Sequence, residues 1–135
     1  MGDEKELFMP SPSNERRAVR GLIGLPALRT GFAAAAVFAF VMAVLPHPPR
    51  LPGTPSDKVQ HIVAFAVLGA LAAAAFPSAR LRTLLAALAA FGGAIELVQL
   101  VPALNRSGDV VDWVADIAAA AVALPLTRRL LRRSE

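Results

Sequence analysis

Along the chain, long apolar runs alternate with short polar breaks. The runs cover roughly residues 28–46, 59–76, 83–101 and 110–127. A run of about 18–19 residues forms a helix about 27 Å long at 1.5 Å per residue, just enough to cross a hydrocarbon core of about 30 Å. A soluble bundle needs polar positions at helical spacing along each helix, and "GFAAAAVFAFVMAVLP" offers none. The pattern therefore predicts an all-α fold, an integral membrane bundle of four transmembrane helices over residues 28–127, with the lipid bilayer as its surroundings. Ahead of it, residues 1–27 are polar, basic and proline-broken, and are predicted to be disordered. Residues 128–135 form a short basic tail. The leader is long and "AVLPHPP" lacks a small-x-small cleavage site, so the first run reads as a retained anchor and not a cleaved signal.

Composition agrees and removes several chemistries. The chain has 135 residues, enough for one domain, and 56% of them are hydrophobic; the mean hydropathy is +0.55. There is no cysteine, which excludes disulfides, thiolate ligands and a cysteine nucleophile. Only His47 and His61 are histidines, so a three-histidine zinc site within one chain is excluded as well. The net charge of +4 would also suit nucleic acid, but its placement follows membrane orientation and no nucleic-acid partner is expected. With four spans, the N-terminal segment, the 77–82 loop and the C-terminal tail share one side, and they hold eleven of the fourteen lysines and arginines. Arg50, Lys58 and Arg106 fall on the other side. Positive charge favours the cytoplasm, so the N- and C-termini are both expected to be cytoplasmic.

The remaining polar residues gather at the opposite, outer ends of the runs. Asp57, Lys58 and His61 enter the second run, Glu96 and Gln99 leave the third, Arg106 stands in the outer turn, and Asp109, Asp112 and Asp116 enter the fourth. At 100° per residue the last three aspartates fall within about 60° of arc, one helix face. Asp57 and His61 are four apart, a spacing at which the carboxylate can orient the imidazole. A charge at mid-membrane costs roughly 2.5–3.5 kcal/mol to insert, less when shallower. Five acids face two fixed cations, Lys58 and Arg106, so some acids must be protonated, hold a cation or await a ligand.

Simpler roles stand beside these. Asp57 fits a capping box begun by Thr54 and Pro55, and Asp109 fits a helix cap after Ser107-Gly108. Lys58 suits snorkelling to headgroups, Arg106 a solvated turn, His47 a loop, and Trp113 an interfacial aromatic anchor. Glu96, Asp112 and Asp116 lie too far inside their runs to be caps. A purely structural network joining the spans is the competing account of the cluster.

Three stretches, "DKVQHIVAFAVLGALAAAAFP", "GAIELVQ" and "RSGDVVDWVAD", together resemble the VanZ-like family of small bacterial membrane proteins. The resemblance covers about residues 57–123 and marks Asp57, Lys58, His61, Glu96, Gln99, Arg106, Asp109 and Asp112. The family's usual asparagine four residues after the last aspartate is replaced here by Asp116, which adds a second acid to the pocket. The resemblance implies a multi-pass protein of the bacterial cytoplasmic (inner) membrane and the cell envelope, linked to antibiotic resistance through low-level teicoplanin resistance. It implies a site but no reaction.

Three functions follow as expectations. In the first, the pocket binds or acts on an extracytoplasmic lipid-linked or cell-wall group. His61, Glu96, Arg106, Asp109 and Asp112 are then the candidate catalytic side chains, with Asp57, Lys58, Gln99 and Asp116 in support. A divalent metal held by His61 with Glu96, Asp112 or Asp116 is a variant of this. The second is a small proton or cation conduit. The third is a non-catalytic assembly protein, a homo-oligomer or the partner of another membrane protein, whose alanine-rich faces suit helix association. Whether the chain is an enzyme stays open between them.

Overall fold

The computed structural model of the chain describes residues 12–46 and 57–133, with side chains from 24 and from 58 onward in those two segments. It is all-helical: α1 (Pro12–Val44), α2 (Asp57–Ala75), α3 (Leu81–Gln99), a 3-10 turn (Pro102–Leu104) and α4 (Val110–Arg133). All four α-helices are long and apolar enough to cross a membrane. The polar stretches containing His47, Arg50, Thr54 and Pro55 lie outside the described residues, as do Lys5 and the side chain of Asp57.

Each expected run is helical, with ends displaced by a few residues. The largest difference is at α1, which begins at Pro12, so residues 12–27 lie within the first helix. Proline is favoured at a first helical position, where its missing N–H would have no partner in any case. At the other end of the chain, α4 continues through the basic tail to Arg133. Pro26 lies inside α1 and Pro125 inside α4, interior positions that membrane helices tolerate.

Five residues join α2 to α3 and ten join α3 to α4, connections short enough to make these helices antiparallel neighbours. The start of α2, the end of α3 and the start of α4 therefore meet at one end of the bundle. The closest packing is between α2 and α4. Gly69 makes it possible: a Cβ there would stand 3.2 Å from the Ala123 Cβ and 3.3 Å from the Ala120 Cα. Small residues set this approach, as they do between helices that gain no hydrophobic drive from lipid. Phe65, Leu68, Ala72, Ile95, Ala120 and Leu124 form the core, with Phe32, Ala36 and Phe40 of α1 laid against it.

The outside of the bundle is as oily as the inside. Val37 is 63% exposed, Phe38 67% and Val110 71%. In water such a surface would aggregate; against lipid tails it is solvated. The four apolar helices fit a multi-pass membrane protein.

The end opposite the acids is closed by arginines. Arg128 of α4 donates from its terminal guanidinium nitrogen to the carbonyls of Phe76 at 2.7 Å and Ala79 at 2.8 Å, and from Nε to Ala73 at 3.4 Å. Arg29 of α1 donates to the Ala75 carbonyl at 3.3 Å and stacks 5.5 Å from the centre of the Phe76 ring. A helix leaves its last carbonyls unpaired, and a cation there also meets the negative end of the helix dipole.

Candidate functional site

At the acidic end, three helices each contribute a side chain to one cluster. His61 lies about 6 Å along α2 and Asp116 about 9 Å into α4, at 1.5 Å per residue, so both sit below the helix ends. His61 Nδ1 is 3.4 Å from Asp116 Oδ2. Asp116 is 1% exposed, one of the largest fully buried side chains among the described residues. Glu96, one turn before the end of α3, completes the group. His61, Glu96 and Asp116 each offer a ligand-type atom, and these atoms lie within 4.8 Å of one another. Buried Glu96 Oε1 and Asp116 Oδ1 have no hydrogen-bond partner among the described residues. Buried polar atoms are satisfied as a rule, so two orphaned carboxylate oxygens in one cluster are informative.

The α3–α4 turn is shaped around Glu96. Leu104 and Asn105 close a tight 3-10 turn, and Asn105 takes a left-handed φ of 50°. Gly108 then passes so near α3 that a Cβ on it would stand 2.7 Å from the Glu96 carbonyl oxygen. No other residue fits without moving backbone. This close pass delivers the Asp109 N–H to Glu96 Oε2, at 2.6 Å. Asp109 in turn caps α4, its Oδ1 accepting the Val111 N–H at 2.8 Å. The capping role read from the sequence is present, and the backbone of the cap also anchors Glu96.

Lys58 reaches across from α2 to α4. Its Nζ lies 2.8 Å from Asp112 Oδ1 and 3.8 Å from Asp109 Oδ2, at the partly exposed rim of the cluster. Gln99 and Arg106 turn toward α1: Gln99 Nε2 donates to the Ala43 carbonyl at 2.9 Å and Arg106 Nε at 3.2 Å. Helical spacing assigns the orientation of His61 to Asp57. The Asp57 side chain lies outside the described residues; among those described, the Asp116 carboxylate, on another helix, meets the imidazole. Trp113, expected to be an interfacial anchor, packs on Gly92 and Gly93 and donates its indole N–H to the Ala89 carbonyl at 2.8 Å. It is a contact between α3 and α4 within the bundle.

Beside the cluster, an open apolar groove of about 530 Å³ runs along α3 and α4. Gly93, Ala94, Leu97 and Trp113 line it, and Glu96 and Asp109 also reach it. Neither this groove nor the Ala43 carbonyl was foreseeable from spacing, because both depend on how the helices pack. Of the nine residues singled out from the sequence, the described side chains of Lys58, His61, Glu96, Asp109, Asp112 and Asp116 converge, and Gln99 and Arg106 flank them. Comparison with family models, curated proteins and solved structures finds no match for the chain.

Proposed function

We propose that the chain is a VanZ-like protein of the bacterial cytoplasmic membrane. Its pocket, facing away from the cytoplasm, binds the polar head of a lipid-linked or cell-wall amphiphile bearing a phosphate or carboxylate. Through such a ligand it would bear on glycopeptide (teicoplanin) resistance. The observation that carries this reading is the double position of Glu96, which lines the apolar groove and also belongs to the buried cluster with His61 and Asp116. A ligand with a tail along Gly93, Ala94 and Leu97 would set its head beside that cluster. Pockets of this build, apolar walls with a few convergent polar groups, are the usual form of a small-molecule site.

The sidedness rests on the eleven-to-three distribution of lysine and arginine, with Arg29 and Arg128 at the far end of the bundle from the cluster. A conduit is less well supported, because the buried residues beyond the cluster are Leu68, Ala72, Ala73 and Leu124, with no polar steps among the described residues. A structural network is the second reading, favoured by the shared Ala43 carbonyl, which ties α3 and its turn to α1, and by the Lys58 ion pairs, which tie α2 to α4.

Native mass spectrometry of the protein with a polyprenyl phosphate and with a zwitterionic phospholipid separates the two. The headgroup reading expects preferential retention of the phosphate, reduced at least about tenfold by His61→Ala, which removes the imidazole N–H donor, a loss of about 1.4 kcal/mol, with melting temperature in detergent near wild type. Equal retention of both lipids, or loss of Glu96→Gln and His61→Ala proteins from the membrane, would favour the structural network.

A further inference from the structure

An anionic headgroup meets an obstacle at this site. The inner wall of the cluster is itself acidic, built from Glu96 and Asp116, and the Lys58 ammonium is drawn to Asp109 and Asp112. Two carboxylates beside one imidazole repel an anion unless a cation stands between them.

We propose that His61, Glu96 and Asp116 hold one divalent transition-metal ion, zinc foremost, and that this ion receives the phosphate or carboxylate head. Four observations converge on it. The three ligand-type atoms lie within 4.8 Å of one another and come from three helices, so the fold and not a flexible loop sets their spacing. Asp116 is buried, at 1% exposure, and its Oδ1 has no hydrogen-bond partner among the described residues. Glu96 Oε1 is likewise buried without a hydrogen-bond partner among the described residues. Finally, 3.4 Å from His61 Nδ1 to Asp116 Oδ2 is long for a hydrogen bond. Two donors at about 2.0–2.1 Å from one tetrahedral ion stand about 3.4 Å apart.

The donor set selects the metal class. One imidazole and two carboxylates suit zinc, manganese or ferrous iron, whereas magnesium and calcium prefer oxygen ligands throughout. Three protein ligands leave a fourth position for a ligand, as in open zinc sites. Glu96 borders the groove, so the open position is reachable from where an amphiphile would lie. Outer contacts are present too: the Asp109 N–H fixes Glu96 Oε2, the kind of support that orients a ligand. The metal assignment stands on the trio alone, and its role as receptor rests on the headgroup reading above.

The test uses full-length protein in detergent, stripped with a chelator and titrated with zinc against a chromophoric competitor. One equivalent is expected, with a rise in melting temperature on zinc addition. Asp116→Asn and Glu96→Gln should each weaken zinc binding at least about 100-fold, as removal of a ligand costs more than removal of an outer contact. Both should also abolish the zinc-induced rise, and asparagine at position 116 keeps the size of the side chain and an oxygen for His61, so the metal-free protein should stay folded. Asp112→Asn should keep zinc affinity within a few-fold, since Asp112 pairs with Lys58. Absence of a bound equivalent and of any melting shift in folded wild-type protein would overturn the site. Equal loss in Asp112→Asn would overturn the three-residue assignment in favour of a diffuse acidic patch. Polyprenyl phosphate retention with and without zinc tells the two proposals apart. Zinc bound without lipid retention refutes the headgroup reading alone, and undiminished retention by stripped protein refutes the ion as receptor.

Discussion

Gly108 controls how closely the α3–α4 turn seats on Glu96. Its hypothetical Cβ meets a backbone carbonyl, which cannot rotate away as a side chain would. Gly108→Ala is therefore expected to push the turn outward, lengthen the bond from the Asp109 N–H to Glu96 and destabilise the bundle by about 1–3 kcal/mol, the usual cost of overpacking. Thermal melting in detergent measures it, and an unchanged melting temperature would show that the turn has slack. Lys58→Ala provides the contrast. Its ammonium is at the exposed rim, and its ion pairs should contribute little, so melting should barely move. What was readable at this scale was the set of residues and not their pairing. Asp109, Asp112 and Asp116 share a face because helix geometry is local, and the sequence alone supplies it. That His61 meets Asp116 depends on how α2 and α4 rotate against each other, which the Gly69 contact sets from a distance.

At the scale of the helices, hydropathy located all four because a span must be apolar along its length. Their ends were less readable. The start of α1 at Pro12 is set by backbone hydrogen bonding, to which the apolar pattern is blind. The arginines show the same limit: counted only as topology signals, Arg29 and Arg128 also close the end of α2. Arg128→Ala leaves the Phe76 and Ala79 carbonyls without these donors and is expected to cost about 1.5–3 kcal/mol, the range for hydrogen bonds to a charged group. Arg128→Lys should recover part of this, since an ammonium keeps the charge but not the planar fork. Melting of the two variants side by side gives the result; equal stability of both to wild type would make the cap incidental. Gly69→Leu should be harsher, because four added carbons must enter a helix contact where even the first would stand 3.2 Å from the Ala123 Cβ. Loss of the folded protein in detergent is the expected outcome, and normal yield and melting would mean that α2 and α4 pack differently.

At the scale of the whole molecule, the two ends of the bundle differ in kind. One gathers carboxylates from α3 and α4 around His61 of α2, and the other gathers arginines around the end of α2. The proposed function needs the acidic end to face away from the cytoplasm. The chain contains no native cysteine, so single thiols report on each end without background. Ser107 and Ser78 are both exposed, in the α3–α4 and α2–α3 connections respectively. With a membrane-impermeant maleimide on intact cells, Ser107→Cys should label and Ser78→Cys should label only after the membrane is opened. The reverse pattern would place the pocket in the cytoplasm and remove extracytoplasmic envelope groups as ligands. Zinc binding would be untouched by that result, because the spacing of His61, Glu96 and Asp116 is a property of the bundle and not of its direction in the membrane. Labelling therefore decides which pool of amphiphiles the groove can reach, and the zinc titration decides what greets their headgroups.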